Sequence, residues 1–167
     1  MFTSAQVAGF LGILSGHRYK QFTFSINERD QGEWWVNFIF ALLDKKASPL
    51  SFLTRQVLEN ATDFNDAVNQ LSSHDLIAPA YFIVAGVKPD EGVVITRNQS
   101  ALINTWRLDN SNNIWYLLET NYDHWVPPPP NDDRRTPGMR AMNQTTQANI
   151  NYNTLFNVLT IDPVCNE

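Results

Sequence analysis

The run APAYFIVAGVKPDEGVVITRNQSALINTWRLDNSNNIWYLLETN, residues 78–121, decides the predicted fold. It contains four segments rich in apolar, β-branched and aromatic residues, and each is typical of a strand. Pro, Gly, Asp and Asn stand between the segments, and these residues favour turns. Strands joined by short turns pair with their neighbours in antiparallel fashion. The run therefore predicts a four-stranded antiparallel meander.

Two more strands are predicted before this run. The segment KQFTFSIN, residues 20–27, alternates apolar and polar residues, which is the period of a half-buried strand. The segment VAGFLGIL, residues 7–14, is almost continuously apolar and ends before Gly16, which is typical of a buried strand. We expect the two segments to form a hairpin.

Helical patterns lie on both sides of the meander. Residues 33–46 are apolar almost all round, so this helix is predicted to be largely buried. Two amphipathic helices follow at 48–60 and 62–73, with Ser48 and Thr62 as predicted N-caps and Pro49 at a first helical position. Two short helices are predicted at 137–149 and 151–159. This order of elements predicts an α+β fold with helices flanking antiparallel sheets.

Composition excludes several classes of protein. A length of 167 residues suits one domain, and residues 1–167 are predicted to form a single one. The net charge is -5, and the sequence lacks the basic stripe that a nucleic-acid binder needs. Cys165 is the one cysteine, so an internal disulfide is excluded. Neither metal-ligand His spacing nor a Gly-rich phosphate loop occurs, so no metal and no organic cofactor is predicted.

The meander runs into ETNYDHWVPPPPNDDRR, residues 119–135, whose four prolines exclude both helix and strand. A polyproline segment is stiff and can hold the polar groups on its two sides at a fixed separation. Asn121 is a donor of the type found in oxyanion holes, and Arg134 or Arg135 can orient a carboxylate or a carbonyl. The residue types equally allow a surface loop in which the two aspartates pair with the two arginines and Asn121 closes a turn.

Six segments of the chain together resemble one family. In chain order they are INERDQGEWW, TRQVLENATDF, LIAPAYFIV, EGVVITRN, TNYDHW and DDRRTP. They resemble the acid ceramidase and N-acylethanolamine acid amidase family of N-terminal-nucleophile hydrolases, which is related to the choloylglycine hydrolases. The resemblance covers essentially the whole chain. It implies a four-layer sandwich of two antiparallel sheets between helix layers.

The resemblance also implies a chemistry. The family hydrolyses the amide bond of fatty-acyl amides in acidic lysosomes, using a cysteine that self-cleavage exposes at a new chain N-terminus. The α-amino group of that cysteine serves as the base. By position in the motifs, Asn121 is implied to be an oxyanion-hole donor and Arg134 to hold the active-site hydrogen bonds. Glu28 is implied to contact the substrate head group or the scissile amide, and Tyr122 is a further candidate for substrate contact.

The aromatic pair Trp34 and Trp35 allows two interpretations. A Trp pair on a helix favours core packing. The same pair can line an acyl-chain pocket or a membrane-facing rim, so both residues are also candidates for substrate binding.

Three glycosylation sequons begin at Asn60, Asn98 and Asn143. Chance alone gives about two in a chain of this composition, so their number decides nothing. Asn60 and Asn143 fall at predicted helix ends and where glycoprotein members of the family carry sequons. The resemblance therefore favours a lysosomal or secreted glycoprotein.

The resemblance places the nucleophilic cysteine upstream of Met1 and further strands beyond the sequence PVCNE. The chain is thus expected to be a fragment of the catalytic β-subunit, truncated at both ends and inactive alone. The predicted substrate is a lipid amide, either a ceramide or an N-acylethanolamine. Predicted partners are the α-subunit of the same precursor and a lipid-presenting activator protein or an anionic membrane surface, with no nucleic acid. The alternative is a short non-catalytic paralogue that binds lipid or another protein.

Overall fold

The structure is a computed structural model of the chain. It describes residues 1–29, 31, 34–43 and 47–165, without the side chains of Trp34, Val36 and Phe40. The chain divides into two units, Met1–Leu117 and Leu118–Glu167. Strands of the first unit are β1 Phe2–Ala5, β2 Ser15–Arg18, β3 Phe22–Glu28, β4 Ala80–Gly86, β5 Gly92–Arg97 and β6 Leu102–Arg107. Its helices are α1 Trp34–Leu43, α2 Leu50–Asn60 and α3 Phe64–Ser73, and the second unit contains α4 Arg135–Thr145 and α5 Tyr152–Leu159.

The six strands form one antiparallel sheet in which each strand lies beside its neighbours in sequence. Strands β4, β5 and β6 confirm the first three segments of the predicted meander. Strand β3 pairs with β4 although helices α1, α2 and α3 lie between them in sequence. The predicted α+β class with an antiparallel sheet and flanking helices is confirmed.

The core of the first unit lies between one face of the sheet and helices α2 and α3. The sheet contributes alternate residues, because successive side chains of a strand point to opposite faces. The helices contribute residues three or four positions apart, which form one stripe. Each large apolar side chain buried there stabilises the fold by about 2 kcal/mol. The sheet residues are Phe22, Phe24, Phe82, Val84, Val93 and Ile95, and the helix residues are Leu53, Val57, Leu58, Phe64, Ala67, Val68 and Leu71.

The predicted strand at residues 7–14 is wrong, because this run forms a loop against α2. Gly9 has a φ of +85°, a left-handed conformation outside the range of a strand. The N–H of Ile13 donates to the carbonyl of Ser51 at 2.9 Å, and its carbonyl accepts from Thr54 Oγ1 at 2.5 Å. These bonds to the helix replace the bonds of a ladder. Strand β3 consequently forms its hairpin with β2.

The fourth strand of the predicted meander is also wrong. After β6, Asp109 and Ile114 form an isolated bridge, and none of the residues from there to Asn121 belongs to a strand. The Asp109 carboxylate accepts from the N–H of Asn112 at 3.2 Å, and Asn113 adopts a left-handed φ of 61°. Beyond this turn the run forms no ladder with β6.

Helix α1 confirms the helix predicted at 33–46, of which residues 33 and 44–46 lie outside the described residues. For the side chains that the structure describes, the prediction that this helix is largely buried is wrong. Its half-buried residue is polar: Asn37 Oδ1 accepts from Gln99 Nε2 at 3.0 Å. The apolar side chains of the described part are exposed, namely Trp35, Phe38, Ile39, Leu42 and Leu43.

Both predicted N-caps lie one residue too early. Pro49 occupies the N-cap position of α2, because the backbone of Ser48 is hydrogen-bonded to the segment before β4. Asp63 caps α3, and its carboxylate accepts from the N–H of Asp66 at 2.9 Å. A carboxylate is a stronger acceptor than a threonine hydroxyl, and Thr62 instead donates to Asp66.

The second unit begins with a segment without helix or strand, as its prolines predict. Helices α4 and α5 then confirm the two short helices predicted at 137–149 and 151–159, with residues 147–149 as a separate 3-10 turn. Asn151 caps α5, and its side chain accepts from the N–H groups of Asn153 and Thr154. This unit carries Asn121, Tyr122 and Arg134, whereas the first unit carries Glu28 and the Trp pair.

Candidate active site

Asn121 and Arg134 are joined directly, although the proline segment separates them in sequence. Arg134 Nη1 donates to Asn121 Oδ1 at 3.0 Å. The Nε and Nη2 atoms of the same guanidinium donate to the two carboxylate oxygens of Asp132, each at 2.8 Å. This two-point contact matches the planar fork of arginine to the plane of a carboxylate. The guanidinium is therefore fixed in direction, and its third contact points at Asn121.

The bond from Arg134 also sets the orientation of the Asn121 amide. Arginine is a donor only, so the atom that it contacts must be the amide oxygen. The amide NH2 then lies on the other branch of the side chain. A primary amide held in this way presents a fixed N–H donor, which is what stabilisation of a developing negative charge requires.

The N-terminus of α4 holds Arg134 at its N-cap position. The side chain that caps this end is that of Asp133, whose Oδ1 accepts from the N–H of Thr136 at 2.8 Å. The same backbone hydrogen bond is the main cause that lowers the pKa of Asp133. The surface-loop interpretation predicted that the two aspartates pair with the two arginines. The Asp132–Arg134 pair is present, whereas Asp133 caps α4.

Arg135 makes a second network, which is directed at the loop after Asn121. Its guanidinium donates to the carbonyls of four loop residues: Tyr122 and Asp123 at 2.9 Å, His124 at 3.3 Å and Val126 at 2.7 Å. It also covers the ring of Tyr122 at 4.4 Å from the centroid. The Tyr122 hydroxyl accepts from the N–H of Arg135 at 3.1 Å. Tyr122, a candidate for substrate contact, is thus a packing partner of Arg135.

His124 lies in the same loop, with its ring 4.8 Å from that of Trp125 in an edge arrangement. Burial is the main cause that lowers the pKa of His124. The positive charge of Arg135 lowers it further, and the buried carboxylate of Asp123 raises it. The neutral form of the ring is consequently favoured in the folded loop.

Glu28 lies in the first unit at the end of β3, where it is exposed and lines a cleft of about 530 Å³. The neighbouring Arg29 is only 8% exposed, and its Nη1 donates to Asn98 Oδ1. The cleft has a mixed lining in which these charged residues meet apolar ones such as Leu50 and Ile77. An elongated ligand with an apolar body and a polar end matches such a lining.

The remaining candidates are less closely engaged. Trp35 is 50% exposed, so core packing does not describe it, and the side chain of Trp34 lies outside the described residues. Asn60 and Asn143 are exposed. Asn98 is half-buried and accepts the hydrogen bond from Arg29.

Comparison with known proteins places the chain in a family. Residues 3–148 match the family described as linear amide C-N hydrolases, choloylglycine hydrolase family. The chain belongs to the choloylglycine hydrolase family. The resemblance found in the sequence motifs is thereby confirmed, and the description of this family names linear amide C–N hydrolases.

Relatives within the choloylglycine hydrolase family are similar over the full chain. An N-acylethanolamine-hydrolyzing acid amidase of Cavia porcellus is 46% identical over 99% of this chain and 47% of its own length. An acid ceramidase of Heterocephalus glaber is 40% identical over 100% of this chain and 43% of its own. The chain thus spans less than half the length of these curated relatives.

A solved structure supports the fold. The Caenorhabditis elegans N-acylethanolamine-hydrolyzing acid amidase ortholog is similar with a TM-score of 0.87 and 34% identity, over 99% of this chain and 70% of that one. The predicted N-terminal-nucleophile hydrolase fold agrees with this match. Among the described residues, none of the helices has the length and apolar character needed to cross a bilayer.

Sequence reasoning named Asp132 and Arg135 but did not assign their roles in the candidate site. The role of Asp132 as the anchor of Arg134 follows from the pair being two residues apart, a signal that the DDRR motif carried. The four carbonyl contacts of Arg135 had no such signal, because acceptors on the backbone leave no trace in residue type.

Proposed function

We propose that this chain is part of a hydrolase that cleaves the amide bond of lipid amides, with Asn121 as an oxyanion-hole donor. The observation that carries the proposal is the contact between Arg134 Nη1 and Asn121 Oδ1, which orients the amide. Membership of the linear amide C-N hydrolases supports the reaction type.

The chemistry follows from charge. Attack on an amide carbonyl moves negative charge onto its oxygen, and a fixed N–H donor stabilises that charge most in the transition state. Asn121 supplies such a donor. Arg134 has two functions in the proposal: it fixes the amide, and its positive charge adds to the potential around the developing oxyanion.

Glu28 is proposed to bind the polar head group of the substrate. Its position on the cleft of about 530 Å³ supports this role, since the apolar part of the lining suits a hydrocarbon chain. The nucleophile of the proposed reaction is a cysteine with a free α-amino group, as the family resemblance implies.

An N-acylethanolamine is proposed as the substrate class in preference to a ceramide. The identity to the acylethanolamine amidases is 46–47%, against 39–40% for the acid ceramidases. A lysosomal location follows for the proposed acid amidase. The predicted second subunit, activator protein and anionic membrane surface stay predictions, and the exposed apolar side chains of α1 favour a lipid contact.

The experiment is the substitution Asn121→Asp in the complete hydrolase that contains this chain. The introduced carboxylate keeps the shape of the side chain and an oxygen for Arg134, but it has no N–H to donate. We expect kcat to fall about 10²-fold or more, because an oxyanion donor acts in the transition state. Steady-state kinetics with an N-acylethanolamine and with a ceramide measure this.

Asn131→Asp is the matched control, since Asn131 is exposed in the same loop. Near-normal kcat in Asn121→Asp would refute the donor role. A wild-type protein that binds both lipids but hydrolyses neither would instead support the alternative, a non-catalytic lipid-binding paralogue.

A further inference from the structure

Arg135 lies at the first residue of α4 and contacts the loop that begins directly after Asn121. Its guanidinium binds four backbone carbonyls within residues 122–126. Arginine has five N–H donors in a rigid fork, so one side chain can hold several carbonyls in a defined arrangement. A loop without helix or strand bonds gains its order from contacts of this kind.

Tyr122 is held by the same residue from two directions. The Arg135 guanidinium covers its ring at 4.4 Å, and the Arg135 N–H donates to its hydroxyl at 3.1 Å. Tyr122 is the immediate neighbour of Asn121. The backbone on the carboxyl side of Asn121 is therefore tied to the start of α4.

Arg134, which donates the hydrogen bond to Asn121, also lies at the start of α4. Arg134 precedes Arg135 in the chain and reaches Asn121 Oδ1 at 3.0 Å. Arg135 is thus adjacent to both partners of this hydrogen bond. It follows Arg134 in the chain, and it binds Tyr122, the residue after Asn121. A displacement of about 1 Å between the loop and the helix end would lengthen the bond beyond hydrogen-bond range.

We propose that Arg135 is a positioning residue for the hydrolytic reaction, which keeps the loop 122–126 docked on the start of α4 so that Arg134 holds the Asn121 amide. This inference rests on the proposed function, because it assigns a purpose to the orientation of Asn121. A residue that only supplied positive charge near the site would not need the several donors of a guanidinium. A residue that positions the loop must bind several of its carbonyls at once.

The first measurement follows the loop itself by amide hydrogen exchange in this 167-residue chain. The N–H groups of Tyr122 and Val126 are bonded within the loop, to the carbonyls of Thr120 and Asp123. In Arg135→Gln we expect both amides to exchange about 10-fold faster or more, because local opening becomes easier. The amides of Leu155 and Thr160 in and after α5 should keep their rates.

Arg140→Gln is the matched control, because Arg140 is an exposed arginine of the same helix and its loss changes the charge equally. Unchanged exchange at Tyr122 and Val126 in Arg135→Gln would overturn the proposal. Acceleration of equal size at Leu155 and Thr160 would overturn it too, because Arg135 would then hold the whole unit.

The second measurement is kinetic, in the complete hydrolase. We expect Arg135→Gln to lower kcat about 10-fold with KM changed less than about 2-fold, as loss of a transition-state contact predicts. Arg135→Lys keeps the charge without the fork, so it should restore less than half of the loss on a logarithmic scale. Full rescue by Lys, or an unchanged kcat, would overturn the positioning role.

The two measurements separate this inference from the proposed function. If Asn121→Asp keeps its activity, the proposed function fails on that result alone. The exchange rates of Tyr122 and Val126 still decide whether Arg135 orders the loop.

Discussion

Arg97 in the first unit and Arg134 in the second each use three nitrogen atoms, and they use them on different partners. Arg97 is completely buried and donates only to backbone carbonyls: Leu71 at 2.5 Å, His74 at 2.7 Å and Ala101 at 3.2 Å. Arg134 has 18% of its side chain exposed and donates only to side chains, those of Asp132 and Asn121.

The difference separates an arginine that holds a fold from one that orients the side chain proposed as an oxyanion-hole donor. Carbonyls at the end of α3 and in the turn before β6 have fixed positions, so Arg97 joins two elements of the core. Burial lowers the pKa of Arg97, which reflects the cost of desolvating its charge, and the carboxylate of Asp75 opposes this shift. Arg134 is partly exposed to solvent and orients the side chain of Asn121.

The largest effect expected from this comparison is on stability, in Arg97→Met. The methionine fills much of the volume but leaves three carbonyls without their donor, at a cost of about 3 kcal/mol in the free energy of unfolding. Urea unfolding followed by circular dichroism measures it. Arg107→Met, at an exposed position on β6, should change stability by less than about 0.5 kcal/mol. Similar losses of stability in both variants would contradict the role of Arg97 in holding the fold.

A smaller effect, on catalysis, is expected in Arg134→Gln. Its ion pair with Asp132 is partly exposed, and such pairs contribute about 0.2–1 kcal/mol to stability. We expect kcat of the complete hydrolase to fall about 10-fold, because Asn121 loses its orientation. Unfolding and steady-state kinetics of the same variant test both parts. A loss of stability like that of Arg97→Met, with kcat unchanged, would place Arg134 in the first class.

The smallest effect concerns pH. Burial and Arg135 lower the pKa of His124 in the folded state below its value of about 6.5 in the unfolded chain. As the pH falls below about 6.5 the unfolded state takes up this proton first, so stability falls until the folded state is protonated as well. Above a pH of about 6.5 the group contributes no pH dependence.

His124→Gln should therefore reduce the difference between the urea midpoints at about pH 7.5 and about pH 5.5, which lie on the two sides of the unfolded pKa. His17→Gln is the control, since His17 is exposed on β2. An identical difference in wild type and in His124→Gln would show that the loop tolerates the charge, and would sharpen the assignment of loop order to Arg135 alone.

The sequence correctly predicted those elements in which apolar residues recur at a regular spacing. The alternation of Phe22 and Phe24 and the four-residue spacing of Leu53 and Val57 each report burial on one face, and these elements are confirmed. Residues 7–14 carry no period, only apolar character. Their placement depended on hydrogen bonds to α2, which no local pattern encodes.

The exposure of α1 shows the same limit from the other side. Its apolar residues predicted burial, yet the half-buried residue among the side chains that the structure describes is Asn37. For the candidate site, motif similarity predicted roles for Asn121 and Arg134 before any geometry was known. That they touch could not be predicted, because the proline segment fixes a distance along the chain and not the direction of its return.

The pairing of β3 with β4 has a consequence for synthesis. About 50 residues separate the end of β3 from the start of β4. At a translation rate of roughly 5–20 residues per second, β3 waits about 3 to 10 s with an open edge before its partner is made. During that interval the apolar faces of β3 and α1 are available to other nascent chains. A chaperone that binds extended apolar segments has its longest opportunity here, before the ribosome has reached β4.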